Sequence, residues 1–167
     1  MKATGTFIKT GIFALLAATF MATTALAQER GNDKPRQSPN ASGRPGINDR
    51  PIFGRLVPFN QVWRTGANES TAITFTDDVV VEGKPVEAGT YSLYTIPGED
   101  EWTVIINSKM SWGTQYDESQ DVLRVEVEPQ EAETREQFMI HFENVTDRSA
   151  DVVLHWESTK VPFTVET

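Results

Sequence analysis

Between residues 121 and 127 the chain reads DVLRVEV. Leu123, Val125 and Val127 alternate with Arg124, Glu126 and, one step on, Glu128. A period of two gathers the apolar side chains on one face of an extended strand, whereas a helix would scatter them around its axis. The pattern recurs along the chain. Ile73 and Phe75 alternate with threonines, and a run from Tyr91 to Ile96 stops at Pro97-Gly98. Trp102, Val104 and Ile106 alternate, as do Phe138, Ile140 and Phe142 with Met139 and His141 between them. Val152, Leu154 and Trp156 alternate with Val153, His155 and Glu157, and a last short run holds Val161, Phe163 and Val165. Turn formers punctuate these runs: Glu82-Gly83-Lys84-Pro85 inside VVVEGKPV, then Ala88-Gly89. About seven to nine short strands, rich in β-branched and aromatic residues, predict an all-β fold. The spacing suits an antiparallel β-sandwich or a jelly-roll-like arrangement. Residues 129–138, PQEAETREQF, have room for a helical turn but read as a loop leading into a strand.

The first 50 residues break the pattern. Lys2 and Lys9 give a positive n-region ahead of GIFALLAATFMA at residues 11–22, an apolar run too short for the roughly 20 residues that span a bilayer. Ala25-Leu26-Ala27 supplies small-x-small. The combination predicts a signal peptide over residues 1–27, cleaved after Ala27, and export to the periplasm or beyond the cell. Residues 28–50 are Pro, Gly, Asn and charge, and predict a flexible linker. The β-sandwich domain is then expected over residues 51–167. No second apolar stretch follows, so no transmembrane segment is expected in the mature chain.

The chain has no cysteine, which excludes disulfides, thiolate metal sites, cysteine nucleophiles and lipid attachment at cysteine. Stability must come from the core, for which about 120 residues suffice. Residues 51–167 hold eight basic and 21 acidic residues, a net charge of −13. Such a surface repels phosphate backbones, so nucleic acid is not expected as a partner.

Few residues carry recognisable chemistry. The nucleophile-elbow, phosphate-loop, dinucleotide and zinc-protease motifs are absent. His141 and His155 fall on the polar faces of their strands and read as surface histidines. Adjacent strands would bring them together, with Glu143 or Glu157 as a third metal ligand. Asp77-Asp78, GEDE at residues 98–101 and DESQD at residues 117–121 offer oxygens for Ca²⁺ but lack the EF-hand spacing, and read as solvated turns. Trp102 and Trp156 read as core. Trp112 differs, lying beside Gly113 in the polar segment KMSWGTQYDES. A loop tryptophan can stack on a sugar, anchor a partner or close the end of a sandwich.

VWRTGANES, residues 62–70, concentrates the rest. Val62 and Trp63 are expected to be buried, and Gly66 to turn the chain with positive φ. Arg64 is a planar fork of five donors, Asn68 a turn former, and Glu69 the nearest acid. Two arrangements fit: a buried Arg64–Glu69 clamp that fixes a turn, or a pocket for a small polar ligand lined by Arg64, Asn68 and Glu69.

The words from RPIFGRLVPFNQVWRTGANES through YSLYTIPGEDEWTVIIN, with the later WGTQYDESQDVLRVEV and VVLHWESTKVPFTV, resemble the exported bacterial family termed domain of unknown function 2911. The resemblance covers about residues 50–165. It implies an exported, mostly β domain and brings no reaction, substrate or cofactor, so no catalytic residue is transferred. One segment departs from the family pattern: SPNASGRPGIND, polar and shortened, stands where a strand is usual. This implies a missing edge strand, which would open a neighbour's backbone to a partner. The sequence thus points to a module that binds a small polar ligand, a glycan or an envelope protein, with Arg64, Asn68, Glu69 and Trp112 as the contact residues and no cofactor or metal. The alternatives are an enzyme acting on envelope or extracellular material, with His141 or His155 as base, and a calcium-stabilised structural domain.

Overall fold

A computed structural model describes residues 44–110 and 115–167. The expected signal peptide, most of the expected linker, and Trp112 lie outside the described residues. Eight strands follow in chain order: β1 (Thr71–Phe75), β2 (Val79–Val81), β3 (Lys84–Val86), β4 (Gly89–Ile96), β5 (Trp102–Asn107), β6 (Asp121–Val127), β7 (Gln130–Glu143) and β8 (Ser149–Glu166). A single 3-10 turn, Glu118–Gln120, precedes β6. The strands form two antiparallel four-stranded sheets, β1-β4-β5-β6 and β3-β2-β8-β7. The all-β sandwich expected from the alternation is the fold.

The alternating residues meet between the sheets. Leu93, Trp102, Val104, Ile106, Leu123 and Val125 come from one; Val81, Val152, Leu154, Trp156, Val161 and Phe163 come from the other. Trp63 and Trp156 stack with centroids 5.9 Å apart, and Phe138 meets both edge-on. Such contacts add about 0.5–1.5 kcal/mol each beyond the area they bury.

Three elements differ from the sequence expectation. The β2–β3 turn is two residues, Glu82 (φ 46°) and Gly83 (φ 75°), which matches the twist of a tight hairpin. Lys84 and Pro85, expected in the turn, belong to β3. Pro85 is tolerated because β3 is an edge strand. The segment at residues 129–138, expected to be a loop, is mostly β7. Its register against β8 shifts between Glu131 and Arg135 and again between Arg135 and Met139, and its residues are largely exposed. An irregular strand facing water keeps no apolar alternation to read.

The third is β8, a single strand of 18 residues where the sequence suggested two. Its inward residues are even-numbered up to Trp156 and odd-numbered from Val161. Glu157, with φ 55°, lies at the switch. Thr164 Oγ1 donates to Asp151 Oδ1 at 2.8 Å. A straight strand would hold those residues roughly 40 Å apart, so β8 doubles back and its outer face becomes concave.

SPNASGRPGIND also differs from expectation. Phe138 N donates to Pro45 O and Ile47 N to Glu136 O, each at 2.9 Å. Residues 45–47, within the segment expected to leave an edge bare, thus add backbone to β7. Pairing through main-chain groups demands no apolar pattern, which is why a polar segment can supply it.

Candidate functional site

Residues 64–70 leave the edge of β4 and return to it. Trp63 and Thr95 exchange both backbone hydrogen bonds, at 2.7 and 2.9 Å. Thr71 then opens β1 opposite Leu93. The excursion is pinned from beneath. Thr71 Oγ1 donates to Thr65 O at 2.7 Å, Ser70 and Ser92 share a hydroxyl contact of 2.8 Å, and Ser92 Oγ also donates to Lys109 O. The positive-φ residue is Thr65 (φ 54°), fully buried, and not Gly66 as expected. Val62 is 38 % exposed against the expectation of burial, because the alternation that sends Trp63 inward sends its neighbour out.

The Arg64–Glu69 clamp is not formed. Arg64 Nη2 donates to Ala67 O, and Arg64 Nε is buried without a partner. Among the described residues Arg64 makes no ion pair. Asn68 and Glu69 stand exposed on the same loop. The structure therefore places three of the four expected contact residues on one seven-residue excursion.

A second polar group sits at the β5–β6 end, where DESQD was expected to be a solvated turn; Asp121 is instead largely buried in a network that the sequence did not show. Asn107, 1 % exposed, donates to Asp117 O (2.9 Å) and Asp121 Oδ1 (2.7 Å), and accepts from Lys109 N. Asp121 Oδ2 accepts from Tyr116 Oη at 2.5 Å and from Arg124 Nε at 3.2 Å. Arg124 Nη1 reaches Glu118 Oε1 at 2.7 Å. Burial, followed by the bond to Asp121, raises the Tyr116 phenol well above its ordinary 10. The Tyr116 ring packs edge-on against buried Tyr94, centroids 5.0 Å apart, covering the outer face of this sheet. Asp117 accepts from Ser119, which draws its carboxyl below the ordinary value. Asn107 ends a strand that the sequence did show; its role needed the loop geometry.

The histidines sit on the outer face of the β7–β8 pair, His141 on β7 and His155 on β8. His141 and His155 lie on one face with ring centroids 6.0 Å apart. His141 Nε2 is 3.0 Å from Glu143 Oε1, and Lys160 Nζ is 2.7 Å from Glu143 Oε2. The Lys160 bond, then that of His141, holds the Glu143 carboxyl below its ordinary 4.5. His155 is not a surface residue: it is 6 % exposed, and its Nε2 meets Glu133 O at 2.9 Å. The doubling back of β8 and the bulged start of β7 cover what would be the polar face of a flat sheet. The two Nε2 atoms turn to different acceptors, and Glu157 pairs across from Arg135. No group of three suitable side chains among the described residues converges on a metal position.

A family model described as protein of unknown function (DUF2911) matches residues 41–165. The chain belongs to that family. No curated protein and no solved structure matches it. The match takes in both sheets, the Arg64 excursion and the backbone added at Pro45 and Ile47. The family description names no reaction, so the chemistry of the site rests on its geometry. No helix among the described residues is long and apolar enough to cross a membrane.

Proposed function

We propose that the chain is an exported binding module without catalytic activity, taking a small polar ligand or an acidic glycan at the Arg64 excursion. The leader pattern at residues 1–27 supports export. The observation that carries the site is the unpaired, buried Arg64 Nε. A buried donor without an acceptor costs about 1–3 kcal/mol, and folded proteins rarely leave one. Glu69 is the nearest acid in sequence, and no clamp with it is made. A ligand carboxylate or carbonyl oxygen would satisfy the guanidinium fork. Asn68 and Glu69, exposed on the same loop, would contact the ligand's hydroxyl or amino groups; Trp112, outside the described residues, is proposed as a further contact. An envelope protein presenting the same oxygen chemistry is the macromolecular form of this ligand.

The test is a thermal-shift screen of the mature chain against organic acids, amino acids, neutral and acidic sugars and cell-wall fragments. A ligand at about 100 times its dissociation constant adds about 2.7 kcal/mol, a shift of several degrees. The expected result is a carboxylate-bearing hit that disappears in a still-folded Arg64→Ala variant and is mostly lost in Arg64→Lys. A silent panel, or a hit indifferent to Arg64, overturns the proposal.

One contact favours a second reading, an enzyme with His141 as general base. Glu143, 3.0 Å away, would orient the ring as the acid partner of a catalytic histidine does. Turnover of chromogenic esters or glycosides, lost in His141→Gln, would establish it in place of the binding module.

A further inference from the structure

A cleft of about 250 Å³ opens where the two sheets part, between the β4–β5 turn and the ends of the β7–β8 hairpin. Phe53, Phe59 and Trp102 give it an apolar lining; Glu99 from the β4–β5 turn, Glu131 from the start of β7 and Thr159 from β8 also line it. The apolar lining is built deliberately. Gly54 has φ +81°, and a Cβ there would come within 2.9 Å of the Phe59 ring. Gly54 N donates to Val57 O and Val57 N to Ile52 O, each at 2.9 Å, which fixes the loop carrying both phenyl rings. Phe53 packs edge-on to Trp102 at 5.0 Å, yet Phe53 and Phe59 stay only half-buried. Phe53 also packs edge-on to Trp63 and Trp156, so it is anchored to the core while part of its ring, like that of Phe59, stays accessible.

The charge on the cleft is of one sign. No lysine, arginine or histidine lines it. Lys160, next to Thr159, turns to the other face of its sheet and bonds Glu143. Among the described residues neither Glu99 nor Glu131 forms an ion pair. An anion is repelled here. A neutral sugar can stack on the rings and donate hydroxyls to the two carboxylates, but it gains nothing from the negative charge of either. An organic cation uses both, since a positive charge is drawn to an aromatic face and to carboxylates alike. The volume lies below the roughly 300 Å³ at which drug-sized sites begin, so the ligand is small.

We propose that this cleft binds a small alkylammonium cation, its apolar body against Phe53 and Phe59 and its charge met by Glu99 and Glu131. It is independent of the Arg64 excursion, which calls for the opposite charge.

The experiment is calorimetric titration of the mature chain with choline, with the neutral isostere in which carbon replaces the ammonium nitrogen, and with glucose. Choline is expected to bind saturably, and more weakly as salt is raised. Affinity should fall about tenfold or more in the Glu99→Gln/Glu131→Gln double variant, whose exposed positions leave the fold intact, and similarly in Phe59→Leu. The proposal is overturned if choline gives no binding, if the isostere binds as well as choline, if glucose binds in its place, or if the double variant keeps full affinity. The Arg64→Ala variant should bind choline normally, so failure at one site is separable from failure at the other.

Discussion

Arg64, part-buried, and Arg124, exposed, each have an acid close by in sequence, yet their surroundings differ in kind. Arg124 joins a closed network in which Asp121, Glu118, Asn107 and Tyr116 satisfy one another. Arg64 spends one donor on Ala67, holds another buried and unpaired, and leaves Glu69 in solvent. A network that answers all its own hydrogen bonds is a structural element and has little left to offer a ligand. An arginine with spare donors beside exposed Asn68 and Glu69 has much to offer. The contrast separates a stabilising cluster from a candidate contact surface without reference to any motif.

The largest effect is expected from breaking the closed network. Asp121→Ala removes the acceptor shared by Asn107, Tyr116 and Arg124 and should cost about 3 kcal/mol, read as a lower urea midpoint with unchanged slope. A loss under about 1 kcal/mol would erase the distinction between the two arginines. Tyr116→Phe leaves Asp121 its other partners and should cost about 1 kcal/mol. The same phenol sets a pH test. Its pKa is raised above 10 in the folded chain. The stability it contributes is therefore complete below 10 and lost as pH rises through the raised folded value. Tyr116→Phe should flatten that alkaline limb, and an unchanged limb would place the sensitivity elsewhere.

Glu143 sharpens the comparison from the acid side. Its pKa is depressed below 4.5, so its contribution is complete above 4.5 and fades as pH falls through the folded value. Glu143→Gln should shallow the acid limb of a pH–stability profile. Lys160→Met, which removes the first cause of the depression, should do the same. The smallest effect is expected at Arg64. Arg64→Ala removes one hydrogen bond and one unpaired buried donor together, and should change stability by no more than about 0.5 kcal/mol. A loss of about 2 kcal/mol would make the excursion a structural lock after all.

What the sequence showed follows from which contacts are local. Leu123, Val125 and Val127 announce β6 because one face of that strand meets the core and the other meets water. Residues 130–137 hide β7 because nearly all of them meet water and the register slips twice. His155 looked polar-facing because its neighbours Leu154 and Trp156 face the core; the bend of β8 and the bulged start of β7, which brings Glu133 O to its ring, cover it. The Glu143–Lys160 pair spans 17 residues and also depends on that bend. At the candidate site, Arg64, Asn68 and Glu69 were legible as chemistry, but the missing clamp was not. Whether an arginine finds its neighbouring acid is decided by the path of the loop. Thr65, with a side chain that favours extended backbone, takes the left-handed position in place of Gly66, and no local rule announces that exchange.

Glu157 has one more consequence. Because the inward set of β8 changes from even to odd numbers across it, the final stretch is kept in phase by chain length and not by side-chain identity. Removing a single residue between Trp156 and Val161 would turn the end of the protein inside out, offering Pro162 and Thr164 to the interior and Val161, Phe163 and Val165 to water. Substitutions at Ser158 and Thr159 should leave that phase unchanged where deletions and insertions do not. The molecule there guards a count.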